Sequence, residues 1–267
     1  MTFRFSLILA MLLLSGCQLT QKPAPLMAIP KKPPLAKRVY EVAYNTPVES
    51  ARVKSVQLPA HPIARGDTVS LSASKVSLTD TLKDFIVSNL TAKGLKIVDG
   101  NQGHYVLTIH QLDLEFAKDR LYQLQVSGNA ERLEVLSSIP QQKECKSILA
   151  SVSMRLTHQT SSDVVWFAKA SIDSASFQAQ PLRFQISKEQ QVSNEQQVIE
   201  FVESQNTEEA RKSRSSTQVK VPKYVVKEII SPLQKQSGAC NETEVSALTA
   251  DMQKQLSKLL IDKINVK

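Results

Sequence analysis

The stretch ILASVSMRLTHQTSSDVVWFAKASI, residues 148–172, decides the fold. Ile148, Ala150, Val152, Met154 and Leu156 alternate with Leu149, Ser151, Ser153, Arg155 and Thr157. A period of two places the first set on one face of a strand. After Thr160-Ser161-Ser162-Asp163, the residues Val164, Trp166, Ala168, Ala170 and Ile172 repeat the pattern. Two alternating runs joined by a short polar connection predict an antiparallel hairpin with one apolar face. Trp166 lies on that face and reads as a core residue, with an exposed partner anchor as the alternative.

Upstream, 68–73 alternates and predicts a strand. Ser77 fits an N-cap with Asp80 near the positive helix end, and Leu78, Leu82, Phe85, Ile86 and Leu90 follow at helical spacing. Gly94 is placed to end that helix. A short strand over 95–98 and a turn over 99–103 lead into 104–116, where Tyr105, Leu107 and Ile109 share one face. Leu112, Leu114 and Phe116 have the opposite parity, so a bulge or break is required near His110-Gln111. A further strand over 121–127 is expected to pair with 104–116, and 128–146 reads as polar and irregular.

Downstream, 177–240 turns polar. Residues 187–214 suit a solvated helix with a thin stripe of Val192, Ile199 and Val202; Val225, Val226, Ile229, Ile230 and Leu233 suggest a short helix disrupted at Pro232. The final stripe of Val245, Leu248, Met252, Leu256, Leu259, Leu260 and Ile264 predicts a strong amphipathic helix. The expected class is α+β: an antiparallel-rich β-sheet with amphipathic helices packed on one face, a Pro-rich N-terminal tether and a polar helical insertion at about 177–240.

At the N-terminus, Arg4 precedes an apolar run over 5–14, too short to span a bilayer, and then Leu14-Ser15-Gly16-Cys17. This resembles the lipobox of bacterial lipoproteins, which implies cleavage before Cys17 and lipid on its sulfur. Gln18, in place of aspartate, then implies release to the outer membrane. Prolines 23, 25, 30, 33 and 34 make the following stretch an extended spacer. The expected division is a signal peptide over 1–16, a lipidated tether over 17–66 and an α/β domain over 67–267. Within the tether, 39–44 and 53–58 fit either edge strands or partly ordered linker. Export leaves Cys145 and Cys240 as a pair in an oxidising compartment, predicting a disulfide.

The net charge of +8 suits an anionic partner such as lipid headgroups, but the basic residues are scattered and are not interleaved with aromatics as for nucleic acid. No cofactor loop is present. His61, His104, His110 and His158 lack zinc-site spacing, so no metal is expected. Ser72-Ala73-Ser74-Lys75 sits at a strand end without supporting signals, and Asp113 with Glu115 reads as an acidic solvent face. No catalytic residue is expected.

The order of strand, helix to Gly94, Leu95-Lys96-Ile97-Val98-Asp99, His104-Tyr105-Val106-Leu107-Thr108, and a hairpin containing Ala150-Ser151-Val152-Ser153-Met154-Arg155-Leu156 and Val164-Val165-Trp166-Phe167-Ala168 has a further likeness. It resembles the α/β domain shared by the curli-secretion lipoprotein, the N-terminal domain of the Tol-system propeller protein and the lipoprotein activators of penicillin-binding proteins. The resemblance covers about 67–172 and the last helix. The chain departs from it at His104, in lacking a glycine after Thr108, and in the 177–240 insertion. It implies a non-enzymatic periplasmic adaptor or assembly factor, lipid-anchored in the outer membrane and engaging another envelope protein. An oligomeric secretion-channel component and an envelope hydrolase are the alternatives.

Overall fold

The structure, a computed structural model, describes residues 22–73, 76–100, 102–214 and 218–267. Cys17 and the rest of the signal region, with Ser74 and Lys75, lie outside the described residues. The fold is α+β and forms two compact units. One comprises Tyr40–Ile186 with Pro232–Lys267; the other comprises residues 22–39 with Ser187–Ser231.

The larger unit is built on a mostly antiparallel sheet. Its strands are β1 (Lys37–Asn45, from Tyr40 onward), β2 (Arg52–Gln57), β3 (Thr68–Ser72), β4 (Lys96–Ile97), β5 (Tyr105–Leu124), β6 (Gln142–His158), β7 (Val164–Asp173), β8 (Leu182–Val192, as far as Ile186) and β10 (Gln234–Ser237). The order is β10-β8-β1-β5-β6-β7-β2, with β3 joining β5 in parallel and β4 joining β3. The helices are α1 (Asp80–Ala92), α2 (Ala130–Ser137), α3 (Ser174–Gln178), α6 (Glu242–Ser246) and α7 (Thr249–Asp262).

The hairpin forms as read: Val152 faces Ala170 and Leu156 faces Trp166 in β6–β7. Ala150, Ala168 and Ala170 are fully buried in the core that also holds Met252, Leu256 and Leu260 of α7. Alanines on the sheet let the bulkier helix side chains approach closely. Helix α1 buries Leu82, Ile86 and Leu90 in the same core. Thr79, rather than Ser77, caps α1, its hydroxyl accepting from Leu82 N at 3.3 Å. Gly94, at φ 89°, ends it: Gly94 N donates to Thr91 O and Leu95 N to Leu90 O, the double bond of a Schellman turn.

Three further expectations are corrected. Residues 121–124 do not fold back on 104–116. They continue β5, because β6 runs from residue 142 and pairs β5 along its whole length. Bulges fall at 109–111, as the parity change requires, and at 117–120. Residues 128–146 contain α2, capped by Asn129, whose Oδ1 accepts from Arg132 N at 3.0 Å. The last helical stripe is two helices, α6 closed by a capping box between Asn241 and Glu244, then α7.

The smaller unit contains α4 (Glu195–Gln205), α5 (Glu208–Arg214) and β9 (Val226–Ile230). The expected solvated helix over 187–214 is a strand to Val192 followed by two short helices, with Val198 and Val202 buried at i, i+4. The expected helix over 225–233 is a strand: Val226 to Ile230 pairs antiparallel with Val192 to Lys188. The β-branched Val-Val and Ile-Ile pairs suit an extended backbone once a partner strand is available. Residues 22–36 carry neither helix nor strand.

Candidate functional site

The sheet is left unfinished along the middle of β5. On the edge of β5 away from β6, β3 pairs with residues 105–108 and β1 with 123–124. Among the described residues, no strand pairs with the seven residues 111–117 on that edge. Leu112, Leu114 and Phe116 lie opposite Val152, Ala150 and Ile148, which are buried, yet Leu114 is 39% and Phe116 60% exposed. On the other face Asp113 and Glu115 are exposed, with Gln111 Nε2 donating to Asp113 Oδ2. The segment therefore offers unpaired backbone donors and acceptors, an apolar row on one face and a pair of carboxylates on the other. An exposed sheet edge of this kind is a template for an added strand.

The far edge of the sheet is protected. Strand β2 carries Arg52 and Lys54, and its end is tied to the C-terminal segment by Gln57: Nε2 donates to Asn265 O at 2.9 Å and Oε1 accepts from Asn265 N at 2.8 Å.

The structure brings together two histidines that are remote in sequence. The rings of His61 and His158 stack 4.1 Å apart at the β6–β7 turn. Asp163 Oδ2 lies 2.9 Å and Ser161 Oγ 3.3 Å from His61 Nε2. Hydrogen bonds from the Ser161 hydroxyl and then from His61 hold the Asp163 carboxyl below its ordinary range. A Ser–His–Asp relay needs acid and nucleophile on opposite ring nitrogens; here both address the same one, and the contacts order the turn, in which Ser162 has φ 61°.

Cys145 and Cys240 are joined in a disulfide. Beside it a groove of about 610 Å³ is lined by Lys143, Lys146, Phe184, Lys235 and Glu244, among others. Its cations are already engaged: Lys146 with Asp119 at 2.7 Å, Lys235 with Glu244, and Lys143 over the Phe184 ring at 5.0 Å. Asp173 lies in a smaller cleft. Burial pushes its carboxyl up, but hydrogen bonds from Ser176 and the Arg120 guanidinium outweigh this and hold it below the ordinary range. No group of three or more metal-ligating side chains occurs among the described residues.

Trp166 is fully buried, with Nε1 donating to Ser55 Oγ at 2.9 Å, and is a core residue. His104 lies 3.4 Å from Asp67. The parity change around His110 was the one sequence signal of the open edge; the His61–His158 pair had none, its members being 97 positions apart.

No family model matches the chain, and no curated protein matches its sequence. Among solved structures, PelC from Paraburkholderia phytofirmans, a dodecamer, is similar at 16% identity and TM-score 0.28, over 46% of this chain and 80% of that one. A PDZ domain protein from Parabacteroides distasonis is similar at 10% identity and TM-score 0.27, over 58% and 40%. These scores are too low to establish a shared fold. No helix among the described residues is long and apolar enough to cross a membrane.

Proposed function

We propose that this chain is a lipoprotein anchored through Cys17 in the outer membrane and facing the periplasm. It acts non-enzymatically, as an adaptor or assembly factor for an envelope protein complex. The observation that carries the docking role is the unpaired β5 edge with exposed Leu114 and Phe116. The apolar and acidic faces of that edge suit a partner strand that alternates apolar with basic residues. The lipobox-like Leu14-Ser15-Gly16-Cys17 supports the anchor.

The test places a photo-crosslinking amino acid at Phe116 in intact cells, with a control at exposed Asp84 on α1. The expected result is an adduct with an envelope protein at 116, absent at 84, and lost when Leu114→Asp is added. Adducts only with further copies of this chain would replace the adaptor reading with an oligomeric assembly. No adduct beyond the control would refute docking at this edge.

A further inference from the structure

In the smaller unit the proline-rich segment does not run free. Burial recurs at every third residue: Ala24, Met27, Pro30 and Pro33 are half-buried and the residues between them exposed. That is the repeat of a polyproline II helix with one face against a support. The support supplies paired hydrogen bonds to the backbone. Asn206 Oδ1 accepts from Met27 N at 2.7 Å while its Nδ2 donates to Met27 O at 2.9 Å. Arg211 Nε donates to Ala24 O at 2.8 Å, Arg214 to Pro25 O at 3.0 Å and Tyr224 Oη to Pro30 O at 3.0 Å. Further along, Gln190 bonds both backbone groups of Ala36.

The two outward rows of this strap are therefore defined. One is Pro23, Leu26, Ile29, Lys32 and Leu35; the other is Lys22, Pro25, Ala28, Lys31 and Pro34. Leu26 is 68% exposed and Ile29 52%. Residues 22–39 hold five basic and no acidic side chains, and 187–231 hold seven of each, which leaves the unit at +5. Lys32 is engaged by Glu195 at 2.5 Å, which leaves Lys22 and Lys31 with Leu26 and Ile29 as an apolar and cationic ridge that matches the interface of an anionic bilayer. Chain length adds an independent constraint. Lys22 is five residues from Cys17, so a lipid on that cysteine holds the start of the strap within about 18 Å of the membrane surface. Because the strap is fastened along its length, it cannot extend the reach.

We propose that the strap is a membrane-interface element, lying on the anionic lipid surface with Leu26 and Ile29 toward the acyl boundary and Lys22 and Lys31 among the headgroup phosphates. The inference rests on the lipoprotein reading for its placement, but its test does not. The full mature chain carrying Cys17→Ser, and so without an anchor, is floated with phosphatidylglycerol/phosphatidylethanolamine vesicles and with phosphatidylcholine vesicles. Binding is expected to the anionic vesicles only, to weaken with salt, and to fall about thirtyfold in the Lys22→Gln/Lys31→Gln variant and markedly in Leu26→Gln/Ile29→Gln. Unchanged Trp166 fluorescence shows that the larger unit remains folded, and an unchanged far-ultraviolet circular dichroism spectrum shows that the smaller one does. Failure of the Cys17→Ser chain to float, equal binding to both vesicles, or indifference to both variants would overturn the strap's role. Palmitate labelling of the wild-type chain tests the anchor separately, so failure of one reading is distinguishable from failure of the other.

Discussion

Replacing both Cys145 and Cys240 by alanine should destabilise the larger unit by about 4.7 kcal/mol, acting mainly on the unfolded chain. The bond closes a loop with a sequence separation of 95, and the chain-entropy cost of that closure at 25 °C gives the figure. The folded junction has other ties. Lys146 N donates to Cys240 O at 2.9 Å, Ala239 N to Gln178 Oε1 at 2.7 Å and Cys240 N to Glu244 Oε2 at 2.8 Å. The native geometry therefore survives loss of the bond, and the penalty falls on the freed unfolded ensemble. The assay is urea unfolding followed by the fluorescence of Trp166, the sole tryptophan and a core residue of this unit. With a slope of about 2 kcal/mol/M, the midpoint should drop by about 2 M. Reduction of the wild-type chain should give the same drop. A fall of less than about 0.5 M in both samples would refute the reasoning, since the loop would then impose no appreciable restriction on the unfolded chain.

Two further outcomes follow from the same unit. The Glu244 carboxyl is lowered from 4.5 to about 2, chiefly by the hydrogen bond from Lys235, against burial and with help from the backbone N–H groups of Cys240 and Asn241. Its stabilisation is present above the unfolded value and is lost as pH falls from about 4.5 toward 2; the urea midpoint should decline across that window, and Glu244→Gln should flatten the decline. Trp166→Ala should cost about 3–5 kcal/mol through the cavity it leaves, measured by circular dichroism because the fluorophore is gone; a loss below about 1 kcal/mol would contradict its place in the core.

What was legible in the chain was what neighbouring residues decide. Alternation over 148–172 defined the hairpin and its inner face. Gly94 marked a helix end because the turn there needs a positive φ, which glycine adopts without penalty. The parity change after Ile109 required a bulge because side-chain direction in a strand has a period of two. Where a remote partner decides the outcome, local pattern misled. Residues 225–230 have helical spacing, yet 226–230 form a strand because 188–192 supply the ladder. Residues 121–124 continue β5 because β6 is long enough to pair with them.

The same division applies to the proposed sites. By itself the sequence determined the α+β class, the apolar faces and the pairing expected of Cys145 with Cys240, all read from local periodicity or from residue count. Proline content likewise required an extended 22–36. Only the tertiary structure decided that Asn206 and Arg211 clasp that segment, that His61 stacks on His158, and that 111–117 is left without a strand partner among the described residues. These are juxtapositions of backbone and side-chain groups up to about 190 residues apart, and no local period in a chain encodes which distant groups its folding will bring together.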